Sequence, residues 1–419
     1  MSEQAIDHSH DHSGVSGRTP YEGLRIIEIA TEPGGEDVGQ MMVLMGADVV
    51  KVEPPGGASG RFIGPFVGDE PDPENSLNFW FYNRGKQSIV LDLTTETDRD
   101  RLHVLLEGAD VVITSTSAVE SAALDLRAES LSERHPHLIV ASVTAFGLTG
   151  PWAEYKASEL ISLGAGGPLM SCGYDDHSIP PILPGGNQSA HTAAAFGHIG
   201  ILLALLDRRR TGLGQVVDVS VHEAAAVTCE LANPYWFYPR VNVQRQTCRH
   251  AQPTPTSPAL FQCADGRYVY FALVLADTKP WHSLVSWLGE YGLEADLGDP
   301  EFAEVSHRQA RFPHIQGVVE VFFLLMDANT AYHEGQARQL PIGILNAPED
   351  LFDDEHLAAR QFFVPVDVDG VGPVPFPGAP FRFSAFAAAD PGPAPHLDEN
   401  SLSVLSPNVS AAAPTTGGQ

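Results

Sequence analysis

The chain has 419 residues, 53 acidic against 24 basic side chains, and a formal net charge of −29 at pH 7. Such an acidic balance argues against nucleic acid or an anionic membrane surface as partner and favours solubility. The length exceeds one ordinary hydrophobic core and predicts two domains.

Residues 1–19 are polar, with His8, His10 and His12 among Ser and Asp, and read as a disordered tail rather than a metal site. No basic-then-apolar signal pattern follows the first Met. The large domain is expected over 20–231. Strands are expected at 25–30, 48–52, 88–93, 110–114 and 138–143, with helices such as 37–45 and 98–107 between them. That alternation predicts an α/β layer with a mostly parallel sheet. Residues 187–206 predict a buried helix with Asn187 or Ser189 as N-cap, and Arg208, Arg209 and Arg210 suit its C-terminus. Its most apolar run, 193–206, contains His198 and is too short to span a bilayer, so no membrane partner is expected. Residues 216–221 alternate as a strand. The Pro-rich stretch 232–258 reads as a linker. A smaller α+β unit follows over 259–340, with a hairpin about Asp265-Gly266 and helices at 281–288 and 315–326. Residues 341–362 read as a return linker, and 363–405, turning at Asp369-Gly370, rejoin the large domain. Residues 406–419 read as a second disordered tail. Cys172, Cys229, Cys248 and Cys263 form no CxxC pair, which points to thiols in a reducing cytoplasm and to no metal centre.

The stretch GILLALLDRRRTGLGQVVDVSVHEA resembles the class III CoA-transferases, the CaiB/BaiF and formyl-CoA-transferase-like group. The resemblance extends through GLRIIEIA, GQMMVLMGADVVKVEPPGG, NRGKQSIVLDL, LIVASVTAFGLTGP and PGAPFRFS, from Tyr21 to about Leu405. It implies an α/β fold: a Rossmann-like large domain with a parallel sheet plus a smaller α+β domain. It also implies two interlocked chains, as a homodimer or as a heterodimer with a paralogue. The implied activity moves CoA between an acyl-CoA and a carboxylic acid, with the CoA thioester as substrate and no permanently bound cofactor.

Metal-free CoA transfer needs a carboxylate that attacks the thioester carbonyl, giving a mixed anhydride and free thiolate. The resemblance puts that Asp at the start of the helix leading into Gly200-Ile201-Leu202, which here is Ala190. No Asp or Glu occurs anywhere from 182 to 206; Asn187, Gln188, Ser189 and His191 stand there instead. Glu159 matches an acidic residue beside the family's nucleophile, and Lys156 matches a lysine that contacts CoA. Were the two helical, they would share a face.

Three readings of Glu159 stand side by side: a surface ion pair with Lys156, a surrogate nucleophile, or a general base paired with His191 for proton transfer alpha to a thioester. The related racemase has a His-Asp pair where this chain has Ser158-Glu159, which disfavours that enzyme's mechanism. Arg61, Arg84 and Lys86 join Lys156 as candidate CoA-binding cations, with a solvated surface as the competing reading. Gln40 ends the loop PGGEDVGQ, whose Glu36 and Asp37 stand where anions would be unwelcome. A chain without its own nucleophile also fits the non-catalytic subunit of a heteromeric transferase, or a repurposed acyl-CoA isomerase/racemase-like protein.

Overall fold

The computed structural model describes residues 17–229, 232–273 and 276–405. The expected tails, residues 17–19 apart, fall outside the described residues. The chain divides into two compact units. The first takes in the chain to Leu169, Leu183–Glu230 and everything from Ala358; the second takes in Met170–Ile182 and Leu231–Leu357.

The first unit is built on a six-stranded sheet: β1 (Arg25–Glu28), β2 (Asp48–Glu53), β3 (Gln87–Val90), β4 (Val111–Thr114), β5 (Ile139–Thr144) and β6 (Val216–Ser220). The strand order is β3-β2-β1-β4-β5-β6, and every pairing is parallel. All residues of β4 and β5 are buried, as expected of parallel strands covered on both faces. The alternation of the pleat divides the core. Ile26, Val111 and Ile139 face one side, packed by α1 (Pro33–Leu44) and α7 (Gln188–Thr211). Ile27, Val112 and Val140 face the other, packed by α3 (Glu96–Glu107) and α5 (Ala128–Arg134). Further helices of this unit are α2 (Leu77–Asn83), α4 (Ala118–Ala123), α6 (Glu159–Gly166) and α8 (Val221–Val227), with a last short helix at Ser401–Leu405. The hairpin Phe363–Val368 with Gly372–Pro377 turns at Asp369-Gly370, as the sequence predicts. Its Val366 and Phe376 pack on Phe79 and Trp80 of α2.

Helix α7 carries Arg208, Arg209 and Arg210 in its last turn and ends at Gly212 with φ 75°, a left-handed cap that glycine adopts freely. A Cβ on Gly197 would lie 3.0 Å from Val38 Cγ2, so the missing side chain lets α7 approach α1 closely. With 24 residues, α7 is long and apolar enough to cross a membrane by length and composition alone, which corrects the expectation that its run falls short. One face of it nevertheless lies in the core: Ala193, Ala194, Ile201 and Ala204 pack against the sheet. Phe196, Ile199 and Leu203 on the helix are 43%, 51% and 60% exposed.

The second unit has α9 (Ala232–Phe237), the hairpin β7 (Gln244–Gln246) and β8 (Arg249–Gln252), and a three-stranded sheet of β9 (Leu260–Gln262), β10 (Tyr268–Phe271) and β11 (Ile342–Leu345). Helices α10 (Thr278–Glu290), α11 (Val305–Ala310), α12 (Phe312–Leu324) and α13 (Ala328–Ala337) complete it. Phe261, Phe271, Trp287, Phe322 and Phe323 form its aromatic core. The Asp265-Gly266 turn lies where the sequence puts it, with Gly266 at φ 80°. Two expected linkers carry structure instead. Residues 232–258 hold α9 and the β7–β8 hairpin, where Gln246 bonds to the His250 carbonyl and to Thr256. Such side-chain anchoring leaves no periodic signal. Residues 342–345 form β11, which extends the small sheet antiparallel to β10.

A set of buried ions runs under the first unit's sheet and α1. Lys51 Nζ donates to Glu28 Oε1 at 2.9 Å, Glu36 Oε1 at 2.8 Å and the Ala30 carbonyl at 2.8 Å. Lys86 Nζ holds both oxygens of Glu28, the Glu36 carbonyl and Asn83 Oδ1. Arg61 grips Glu53 through Nε at 2.7 Å and Nη2 at 2.8 Å. Burial works against the charge on both lysines. For Lys51 the carboxylates of Glu36 and Glu28 outweigh it and raise the pKa; for Lys86 burial wins and the pKa falls. Breaking a buried pair strands its partner. Lys51→Met is therefore expected to lower stability by about 3–5 kcal/mol in urea unfolding. The double variant Glu28→Gln/Lys51→Met should cost less than the two single changes summed.

Candidate functional site

The N-termini of α1 and α7 meet beside the sheet. A Cβ on Gly34, in the first turn of α1, would lie 3.7 Å from the carbonyl oxygen of Ala190 in the first turn of α7. Each helix start presents backbone N–H groups and the positive end of its dipole. Ala190 itself is 8% exposed.

The expected N-cap of α7 is replaced by a longer-range one. Asn187 is the cap residue but makes no capping side-chain bond; its Nδ2 donates to Tyr82 Oη at 3.0 Å. The cap comes from Glu159, the first residue of α6. Ser189 N–H donates to Glu159 Oε1 at 2.9 Å, and Ser189 Oγ donates to Oε2. A carboxylate at a helix start is favourable because it meets both the free N–H groups and the dipole. Glu159 thus comes within one residue of Ala190 from a different part of the backbone. Lys156 precedes α6 and is exposed, so it shares no helical face with Glu159. The reading of an i,i+3 ion pair on a surface turn is corrected accordingly, because the Glu159 carboxylate is held by Ser189.

His191 pairs with Asp37, not with Glu159. The His191 Nδ1 and Asp37 Oδ2 atoms are 2.8 Å apart, with Nδ1–H the donor, and Nε2 lies 3.4 Å from Tyr82 Oη. Phe81 stands edge-on to the imidazole at 6.2 Å between centroids. The pairing of Glu159 with His191 is corrected because Ser189 takes both carboxylate oxygens of Glu159. The Asp37 hydrogen bond raises the His191 pKa above the ordinary imidazole value, against the opposing effect of burial. Burial pushes the Tyr82 hydroxyl up to about 12, although the Asn187 hydrogen bond pulls the other way. Tyr82 is therefore a neutral phenol at physiological pH. Asp37, read from sequence as an unwelcome anion, is the imidazole's anchor.

The other candidate residues are not solvated. Arg61, Arg84, Lys86 and Gln40 are all buried, which corrects the surface reading of the three cations. Arg61 is committed to Glu53 and the Pro395 carbonyl, and Lys86 to Glu28. Arg84 donates to the Pro377 carbonyl and lies 5.4 Å over the Phe376 ring. Gln40, with its amide turned to satisfy its neighbours, donates to the Tyr82 and Arg84 carbonyls at 3.2 and 3.1 Å. To touch a ligand, Arg61, Lys86 and Gln40 would have to release such a partner, whereas Arg84 Nη1 is buried without one. Among the described residues, no group of three or more His, Cys, Asp or Glu is placed to hold a metal ion.

The starts of α1 and α7, beside a parallel sheet, thus gather a carboxylate, an Asp–His pair and a neutral Tyr. The profile of CoA-transferase family III matches residues 21–401, and the chain belongs to that family. It is 29% identical over 390 residues to the succinyl-CoA:(R)-benzylsuccinate CoA-transferase subunit BbsE of Thauera aromatica, covering 92% of this chain and 93% of the relative. It is 30% identical to the succinyl-CoA:mesaconate CoA-transferase of Haloarcula hispanica, covering 91% and 94%. The crystal structure of a CaiB/BaiF family protein from Brucella suis superposes with a TM-score of 0.79 at 28% identity, covering 92% of this chain and 98% of that one. The expected α/β fold class, a large parallel sheet with helices, therefore holds.

Asp37→Asn is expected to lower the His191 titration midpoint, followed by NMR of the imidazole. A raised folded pKa contributes stability that is fully present below the unfolded value of about 6.5 and lost as pH rises through the folded value. The wild type should therefore exceed Asp37→Asn in melting temperature by more at pH 5.5 than at pH 9.

Proposed function

We propose that the chain moves CoA between an acyl-CoA and a carboxylic acid at the corner formed by Glu159, Ser189 and His191, with Glu159 acting in place of an aspartate at position 190. One observation carries this reading: the Glu159 carboxylate sits on Ser189 at the start of α7, half-buried and next to Ala190. A Glu159 oxygen attacks the thioester carbonyl, the C–S bond breaks, and its electron pair leaves on the CoA sulfur as thiolate. The acyl group is left on Glu159 as a mixed anhydride. The thiolate then attacks the Glu159 carbonyl carbon and frees the donor acid as a carboxylate. The acceptor carboxylate attacks the resulting Glu159 thioester, and the thiolate expelled takes the acceptor's acyl carbon, restoring Glu159. No net proton is needed. The N–H groups at the start of α7 favour the anions formed on the way.

The two relatives are named for succinyl-CoA, so short dicarboxylic acids are the first acceptors to test. The cysteine usage fits a cytoplasmic setting.

A second reading has this chain as the non-catalytic subunit of a heteromer whose paralogue supplies the aspartate. Two observations favour it: Ser189 engages both oxygens of Glu159, and the Thauera relative is itself named as a subunit. In either reading, the exposed Phe196, Ile199 and Leu203 of α7 offer an apolar surface for a second chain, a copy or a paralogue. Glu159→Gln is expected to cut succinyl-CoA exchange by the pure chain about 10⁴-fold or more while leaving CoA binding in place. Exchange that requires a co-expressed paralogue and is indifferent to Glu159→Gln would establish the second reading instead.

A further inference from the structure

The second unit contains a cavity of about 200 Å³ lined by Asp175, His177, Arg245, Gln246, Arg249 and Thr256 among others. Arg245 belongs to β7 and is 8% exposed; its Nη2 donates to the Asp176 and Ile179 carbonyls, which ties residues 170–182 to the hairpin. Gly173, at φ 134°, makes room for it, since a Cβ there would lie 2.8 Å from Arg245 Cδ and 3.0 Å from Nε. Arg249 opens β8 with its side chain 7% exposed, and its Nη2 pairs with Asp175. After these bonds, the Nε–H of both arginines is buried without an acceptor.

The neighbouring polar groups are already used. Gln246 Oε1 accepts from the Thr256 N–H and hydroxyl, and its Nε2 donates to the His250 carbonyl. His177 Nε2 lies 3.0 Å from the Arg245 carbonyl oxygen. A buried donor on a charged group is costly to leave unpaired. The chain has 53 acidic residues with which to pair these guanidinium groups, yet among the described residues Asp175 alone forms an ion pair with either. Asp175 pairs with Arg249 and the Asp176 carboxylate feels the charge of Arg245, yet neither takes the Nε–H groups, which stay unpaired beside the cavity.

We propose that Arg245 and Arg249 form a binding site for an oxyanion, the carboxylate or phosphate group of a small ligand or of one end of a larger one. Guanidinium N–H groups are suited to either oxyanion, and the charge assistance strengthens each bond. The cavity is smaller than a drug-sized site, which limits the occupant to a few heavy atoms. The site lies wholly in the second unit and does not depend on the thioester chemistry proposed for Glu159.

The test uses the full-length protein titrated with succinate and with inorganic phosphate by calorimetry, alongside the Arg Nε–H resonances in NMR. The expected result is one site per chain for at least one of the two anions, with the Arg245 and Arg249 Nε–H signals shifting on binding. Arg249→Gln should weaken binding about tenfold or more. Arg267→Gln, at a half-buried arginine paired with Asp350 and outside the cavity lining, should leave it unchanged. Tighter binding of succinate identifies a carboxylate ligand, and tighter binding of phosphate identifies a phosphate ester. Nε–H signals unmoved by either anion at tens of millimolar would overturn the proposal even if Arg249→Gln failed to fold. So would equal affinity in the wild type, Arg249→Gln and Arg267→Gln.

Discussion

Lys51 joins Glu28 of the central strand to Glu36 of α1, and that buried bridge fixes where α1 begins. With Lys86 clamping the same Glu28 and the Glu36 carbonyl, the first turn of α1 is held on two sides by cations that water does not reach. Gly39 makes the fit possible, since a Cβ there would fall 1.8 Å from Glu28 Oε2. Asp37 is the next residue along that turn, so the position of the carboxylate that anchors His191 follows from ions on the other side of the helix. An ion network of this kind adds little net stability compared with an apolar core of the same shape, and its value lies in specifying one arrangement.

The active corner is then a matter of two helix starts and what neutralises them. Helix α7 receives Glu159 at its start, whereas α1 carries its own carboxylates, Glu36 in its first turn and Asp37 just after it. His191 lies between Glu159 and Asp37, closer to Asp37, with Tyr82 and Asn187 completing the hydrogen-bond chain. Ala190 sits at the centre of this polar set without contributing a polar side chain.

The sheet was legible because its strands are short apolar runs separated by helical stretches; VVIT of β4 is buried at all four positions. The two Asp-Gly turns were legible because their chemistry is local. What escaped was whatever depends on distant partners. A basic residue in a turn carries no local sign that it will be buried, so Lys86 and Arg84 read as solvated when both are enclosed. Glu159 and His191 were singled out by resemblance, but their partners were not, because Ser189 lies 30 residues from Glu159 and Asp37 lies 154 from His191. The segment 232–258 misled for the opposite reason: its prolines signal irregular chain, and a short hairpin anchored by Gln246 leaves no period to detect.

The sealed bridge has a consequence for the chemistry of the chain's amines. The sequence contains four lysines, Lys51, Lys86, Lys156 and Lys279, and the fold encloses the first two while leaving the other two in solvent. An acylating reagent, or an enzyme that acetylates lysine, therefore meets only two side-chain amines on the native molecule. A label found on Lys51 or Lys86 records a moment when the sheet and α1 had come apart.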